Sequence, residues 1–297
     1  MAGLKDDIKR IYSTSNTASR YVLINVAVFL SIIIVKFIAW GFQANGFDII
    51  EWIGLPSSFE VFMTRPWSVF SYMFVHEAFF HILINMLWLF MAGRIFVDLL
   101  GSKKFVKTYW LGGFFGGLLY LLLYNLFPAL QGSNATLIGA SGAVFAVFIG
   151  LASYVPDYVI RLVFIGPVKL KWVAIVFVIL MLPTNSGNLG GHIAHLGGAM
   201  WGFIYARNLR GGNDLAQWFD STADWVINLF ERKERPRMRV YKGAGKANYS
   251  RDNYNYNEQK KKEQEEIDRI LDKISKSGYE SLSSSEKATL FKASNKG

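Results

Sequence analysis

Apolar residues form long runs along the first two thirds of the chain and thin out after about residue 210. Six runs come near the roughly 20 residues that a helix needs to cross a bilayer. They are Tyr21–Trp40, Phe79–Leu99, Phe105–Phe127, Leu137–Val155, Tyr158–Leu182 and Leu189–Ala206. The pattern predicts an all-α membrane protein with six transmembrane helices. The fifth run is the least regular, because Arg161, Pro167, Lys169 and Lys171 interrupt it and leave only Trp172–Leu182 clean. It is expected to begin at the membrane interface.

Beyond Arg210 the pattern changes period and polarity. Leu215, Trp218, Phe219, Trp225, Val226 and Phe230 fall on roughly one side of a helix, which reads as an amphipathic segment lying along the membrane surface. A basic stretch, RPRMRVYKGAGKANYSRDNYNYN, reads as a flexible linker. Ile267, Ile270, Leu271 and Ile274 then return to helical spacing, with Gly278 as a stop and Ser283 and Glu286 spaced as a capping box for a second short helix. The expected organisation is a membrane domain over 1–210, an amphipathic segment and linker over 211–256, and a small helical hairpin over 257–297.

Composition agrees with the pattern: 52% of the 297 residues are hydrophobic and 18% are charged. The net charge of +10 points to an anionic membrane surface rather than nucleic acid, because the basic residues cluster beside the apolar runs. With no cysteine, disulfides, thiol nucleophiles and Cys-ligated metals are excluded. The N-terminus lacks the short apolar core of a cleavable signal, so the first membrane helix is expected to serve as its own signal. Lys5, Lys9, Arg10 and Arg20, then Lys103, Lys104 and Lys107, then Arg161, Lys169 and Lys171 occupy alternate connections. By the positive-inside rule both termini are expected to be cytoplasmic.

That orientation brings polar residues to one depth. Spans two, four and six enter from outside, and within about two turns of their starts lie His81 and Asn85, Ser141, and His192 and His195. His81 and Asn85 are four apart and share a helix face. Gly142, Ala146 and Gly150 form a small-residue stripe on span four, and Ala194, Gly198, Gly202 and Ala206 form another on span six. Such stripes permit close backbone approach, enough to bring a hydroxyl and an imidazole together. Ionisable residues within spans carry a functional presumption. The bland alternative is that each histidine merely hydrogen-bonds a neighbouring helix. Histidines also suit a metal, but neither a His-Glu-x-x-His helix nor an acidic residue at that depth accompanies them, so no metal or cofactor is expected. His76 and Glu77 read as interfacial loop residues, and Lys36 as a side chain that snorkels outward. Asp98 and Asp157 lie at the far ends of their spans, which leaves a serine-histidine dyad rather than a triad.

The segments GASG at 139–142, HILIN at 81–85 and AHLGGAMWG at 194–202, in this order, resemble the rhomboid family of intramembrane serine proteases. The resemblance covers about residues 15–210. It implies a six-helix bundle in which Ser141 is the nucleophile, His195 the general base, and His81 and Asn85 the oxyanion donors. It further implies that Gly139, Gly142, Gly198 and Gly202 serve close packing near the site and that the Phe145 ring buttresses the histidine. Many members carry Trp-Arg in the first external loop, where this chain reads Arg65-Pro66-Trp67-Ser68. The tail DRILDKISKSGYESLSSSEK resembles an appendage of rhomboids from Bacteroidetes-like bacteria. The implied substrates are single-pass membrane proteins cleaved near the outer face of a bacterial inner membrane, with a small residue before the scissile bond. A rival from another class is a rhomboid-like protein that binds membrane clients without cutting them, although such relatives typically lose the serine or histidine. A small-solute transporter would instead show interrupted helices with polar groups at the midplane.

Overall fold

The computed structural model describes residues 16–44, 46–162, 165–180, 188–230 and 249–294. These fall into two compact units that divide after residue 234.

In the first unit α1 (Thr17–Gly41) starts at Asn16, whose side chain accepts the Ser19 N–H at 3.0 Å. The connection that follows is folded on itself: α2 (Ile49–Ile53), β1 (Leu55–Pro56), α3 (Phe59–Thr64), α4 (Ser68–Ser71) and a 3₁₀ turn at Tyr72–Phe74. Here Arg65 donates to the Glu51 carbonyl while its guanidinium lies 4.6 Å from the Trp52 ring centroid, and the Trp67 indole N–H donates to the Trp52 carbonyl at 2.9 Å. The loop thus makes its own arginine-tryptophan contact. Helices α5 (Phe79–Leu100) and α6 (Ser102–Leu126) come next, then β2 (Thr136–Leu137), which pairs antiparallel with β1, Leu55 facing Leu137. Helix α7 (Ser141–Tyr154) is followed by the hairpin β3 (Val159–Leu162) and β4 (Gly166–Lys169), then α8 (Leu170–Leu180), α9 (Leu189–Arg210) and α10 (Asp220–Phe230).

Among the described residues, α1, α5 and α6 are long and apolar enough to cross a membrane by length and composition, and α7 and α8 are shorter apolar helices. Together with the glycine-rich α9 they make an all-α, multi-pass membrane bundle. Two spans differ from the sequence reading. The fourth helix begins only at Ser141 and at 14 residues is about 21 Å long, short of the ~30 Å hydrocarbon thickness. The first half of the fifth run is a hairpin, with Val159 paired to Lys169 and Leu162 to Gly166. Gly166 at φ +88° and Pro167 disfavour a helix there, and Lys169 and Lys171 are drawn to Asp157 at 3.1 and 2.8 Å.

The shortness of α7 is matched by its position. Every residue from Gly142 to Ala152 is buried, so the helix is covered on all sides rather than along one stripe. Small residues allow this. A Cβ on Gly198 would overlap the Gly142 carbonyl, one on Gly202 the Ala146 carbonyl, and one on Gly112 the Ala146 side chain. At α1, by contrast, Ile33, Ile34, Phe37 and Trp40 are exposed, the pattern of a lipid-facing helix.

The chain after Arg210 returns to the bundle. Lys107 on α6 is 1% exposed and pairs with Asp214 at 2.7 Å and with Asp220, while the Tyr205 hydroxyl donates to Asp214 at 3.0 Å. Lys103 pairs with Asp224 at 2.8 Å. Ala223 and Val226 join the main core, while Trp218, Trp225 and Leu229 remain exposed. The face read as purely interfacial is therefore split: α10 packs on α6 through one edge and offers the other to its surroundings.

The second unit holds α11 (Tyr249–Ser277) and α12 (Ser284–Ser294); the stretch read as a linker lies outside the described residues as far as residue 248, and its remainder, 249–256, is the start of α11. Gly278 at φ +75° ends α11. The capping box at α12 forms as the spacing predicts: the Ser283 N–H donates to Glu286 Oε2 at 2.7 Å and the Glu286 N–H donates to Ser283 Oγ at 3.3 Å. Ile270 and Leu282 are buried, and Lys273 clamps Glu286 at 2.9 Å.

Candidate active site

A cavity of about 820 Å³ opens between α5, α7 and α9, and Ser141, His195, His81, Asn85 and Phe145 line it. The three helix starts that the sequence placed at one depth thus converge on one space. His192 is not part of its wall. It is half-buried one turn nearer the helix start, its ring centroid 6.2 Å from that of His195 and its Nδ1 without a hydrogen-bond partner.

Ser141 is the first residue of α7, where backbone N–H groups have no intrahelical acceptor and the helix dipole favours negative charge. A shaped turn precedes it. Gly139 sits at φ +117°, and a side chain there would come within 2.8 Å of both Cε1 and Nε2 of His81. The glycine therefore lets the His81 imidazole lie against the turn that presents Ser141. Asn85 is buried and its amide nitrogen donates to the His81 carbonyl at 2.8 Å, leaving its second amide hydrogen for another acceptor.

His195 is stacked on Phe145, ring centroids 4.7 Å apart and planes 22° apart. Phe145 in turn meets Phe177 of α8 at 5.8 Å. The close approach at Gly198 and Gly142 sets the height of His195 relative to Ser141, which stand respectively three residues before the contact on α9 and one residue before it on α7. No hydrogen bond joins Ser141 Oγ to His195 in this arrangement. Such bonds tighten when a substrate is bound. Among the described residues, no three His, Asp or Glu side chains are grouped as metal ligands would be.

The folded first connection supplies residues that the sequence reading did not place here. The Tyr72 carbonyl accepts the Gly139 N–H at 3.0 Å, and its hydroxyl donates to the Gly113 carbonyl at 2.7 Å. The strand pair β1–β2, the Ser57 N–H to the Ala135 carbonyl at 2.8 Å and the Tyr120 hydroxyl to the same carbonyl at 3.0 Å fasten the approach to the turn. His76, read as an interfacial residue, is 0% exposed and its Nε2 accepts the Ala140 N–H at 3.3 Å. Glu77 beside it stays exposed and pairs with Lys36 at 2.7 Å, so Lys36 does reach outward from its helix. Helical periodicity carries no trace of His76 or Tyr72, because both lie on non-repeating backbone. The one signal was a histidine embedded in the apolar stretch YMFVHEAFF.

Residues 63–211 match the family model described as "Rhomboid domain", half of the chain, and residues 252–296 match a family of unknown function, DUF6576. The chain is 32% identical over 154 residues to "Rhomboid protein 1, mitochondrial" of Saccharomyces cerevisiae, which covers 48% of this chain and 42% of that protein. It is 26% identical over 136 residues to "Presenilin-associated rhomboid-like protein A, mitochondrial" of Danio rerio, covering 44% and 34%, and equally to the Rattus norvegicus protein, covering 44% and 35%. The chain therefore spans less than half the length of these curated relatives.

Proposed function

The chain belongs to the rhomboid family, and on that ground we propose that it is an intramembrane serine endopeptidase that cuts single-pass membrane proteins in or near their transmembrane segments. The observation that carries the proposal is the convergence of Ser141, His195, His81 and Asn85 on one cavity from three separate helices.

In this reading Ser141 Oγ attacks the carbonyl carbon of the scissile bond and passes its proton to the His195 ring. The carbonyl oxygen becomes an oxyanion, met by the His81 ring, the free Asn85 amide hydrogen and the Ser141 backbone N–H. The imidazolium returns its proton to the departing amine as the C–N bond breaks, leaving an acyl-serine. Water then enters the cavity, loses a proton to His195 and attacks the acyl carbon; the acyl–Oγ bond breaks, His195 returns the proton to Ser141 Oγ and the new carboxyl terminus leaves. Among the described residues, no carboxylate lines the cavity. Packing against Phe145 therefore takes over the orienting role that an acidic third member has in a triad. Family membership further implies a small residue before the scissile bond.

We further propose a bacterial inner membrane, the setting that the resemblance of the tail implies although the relatives named above are mitochondrial, with both termini cytoplasmic from the distribution of Lys and Arg. The lipid bilayer is its surroundings and no cofactor takes part. The test is a fluorophosphonate probe on native membranes together with a cleavable single-pass substrate. Labelling and cleavage are expected in the wild type, and both are lost in Ser141→Ala at unchanged membrane insertion. A wild type that binds the substrate but neither labels nor cleaves it would instead identify a client-binding member.

A further inference from the structure

His76 is a fully buried imidazole beside the candidate site that the mechanism above does not use. We propose that it is a positioning residue for Ser141: by accepting the Ala140 N–H at Nε2, it fixes the turn that aims the hydroxyl into the cavity. The proposal rests on the function inferred above.

Ala140 is itself 0% exposed and stands at the N-cap of α7 with φ −71° and ψ −7°. Its N–H precedes the helix and lies beyond water, so without a partner it would be an orphaned buried donor. His76 supplies that partner from 64 residues away, at 3.3 Å. The next N–H toward the N-terminus, that of Gly139, is held by the Tyr72 carbonyl at 3.0 Å. Two consecutive peptide groups before Ser141 are therefore pinned by one short segment, Tyr72 to His76. The Ala140–Ser141 peptide leads directly to the Ser141 Cα, so a rotation of this turn displaces Oγ from the imidazole it must reach.

His76 also touches the other half of the site. Its ring meets that of His81 edge-on, centroids 5.0 Å apart and planes 66° apart, while His81 rests against Gly139. A single side chain thus spaces the nucleophile turn from the proposed oxyanion donor. The role requires a neutral ring with its proton on Nδ1, an atom that is buried and has no hydrogen-bond partner among the described residues. Burial, and secondarily the neighbouring His81, pull the His76 pKa down to about 4, so the accepting nitrogen is available at neutral pH. The nearby charged groups do not oppose this, since Glu77 is turned outward to Lys36.

The experiment compares His76→Gln with His76→Met in the full-length protein. The two side chains are close in length and volume, but only glutamine carries an acceptor oxygen where Nε2 lies. Three quantities are read: kcat and KM for a cleavable transmembrane substrate, the rate at which a fluorophosphonate labels Ser141, and the melting temperature in detergent. His76→Met is expected to lower kcat and labelling by roughly 10- to 100-fold at nearly unchanged KM, the scale for a small misplacement of a reacting group. His76→Gln is expected to stay within about threefold of wild type. A Met variant that labels at the wild-type rate, or a Gln variant as slow as Met while melting normally, overturns the proposal. Should His76→Met fail to insert, Gln alone decides: retained labelling supports the assignment and a tenfold loss at normal melting rejects it. A wild type that never labels would refute the protease reading instead, so the two failures are distinct.

Discussion

The bundle carries a polar cluster near each end, and the two are built on different electrostatics. Around Ser141 the groups are a hydroxyl, an amide and imidazoles, with no Asp or Glu among the described residues that line the cavity. Around Lys107, 1% exposed, the groups are Asp214, Asp220 and the Tyr205 hydroxyl, a permanent charge matched at once by its opposites. A buried ammonium cannot be left alone, since the desolvation of an unmatched ion costs several kcal/mol. Imidazole can be buried neutral at far less cost, and it must be free to take up and release a proton. On the proposed function the first cluster exchanges protons with a substrate while the second holds two parts of the fold together, so variants of the first should lose rate and variants of the second should lose stability.

The largest effect is expected at the base. His195→Ala should abolish cleavage and fluorophosphonate labelling while leaving the melting temperature within a few degrees. His192→Ala should keep a measurable fraction of both, because His192 does not line the cavity. The opposite pattern would move the catalytic centre one turn toward the start of α9, about 4.5 Å along the axis.

Below that come the proposed oxyanion donors. His81→Ala or Asn85→Ala is expected to reduce kcat by roughly 10- to 1000-fold with little change in KM, the scale for one lost donor. Asn85 is the more informative, because its amide also closes a turn of α5 at 2.8 Å from the His81 carbonyl. A variant that melts earlier but cleaves at the wild-type rate per folded molecule would assign Asn85 to the scaffold.

The difference between the clusters also explains what was legible in the sequence. Ser141, His81, Asn85 and His195 sit near the starts of helices whose directions alternate, so their common depth follows from counting spans, and the glycine stripes foretell that α7 and α9 touch. His76 and Tyr72 were hidden, because they lie in a loop and their partners, Ala140 and Gly139, are set by tertiary folding alone. Lys107 was read only as one of several orienting charges. Its partner Asp214 lies 107 residues away, past the point where composition suggested that the bundle ended. The first half of the fifth run misled for a local reason: hydropathy is blind to the turn at Gly166 that folds it into a hairpin.

The second cluster is tested by removing its anions. Asp214→Asn with Asp220→Asn is expected to destabilise the bundle by about 2 kcal/mol, less than for a fully buried pair, because the two carboxylates are 20% and 39% exposed. The rate per folded molecule should stay within about twofold. Burial pushes the Asp214 pKa up, but hydrogen bonds from Lys107, the Ala216 N–H and Tyr205 outweigh it and hold the pKa below its ordinary value. A depressed pKa means that this stabilisation is complete above the ordinary carboxylate range and is lost as pH falls through the lowered value. The double variant should therefore show a flatter melting profile in acid than the wild type. An unchanged profile and an unchanged melting temperature would mean that the ion cluster does not hold α10 to the bundle.

The smallest effect is expected from removing the second unit, provided the cut respects the cluster. The composition change places the end of the membrane domain at Arg210, and a protein ending there would lack Asp214, Asp220 and Asp224 while keeping Lys103 and Lys107. It would also uncover the core surface that Ala223 and Val226 occupy. A chain ending after Glu234 keeps every one of these contacts and loses only the second compact unit. The longer truncation product is expected to melt like the full-length protein and to cleave within about twofold of its rate, since none of the residues lining the Ser141 cavity lies beyond Gly191 except His195. The shorter one is expected to melt earlier than the Asp214→Asn, Asp220→Asn variant, because it adds lost apolar burial to a stranded charge. Equal melting of the two truncations would show that α10 contributes nothing to the bundle. A large loss of cleavage in the longer product at normal melting would give the second unit a part in catalysis that its separate core does not suggest.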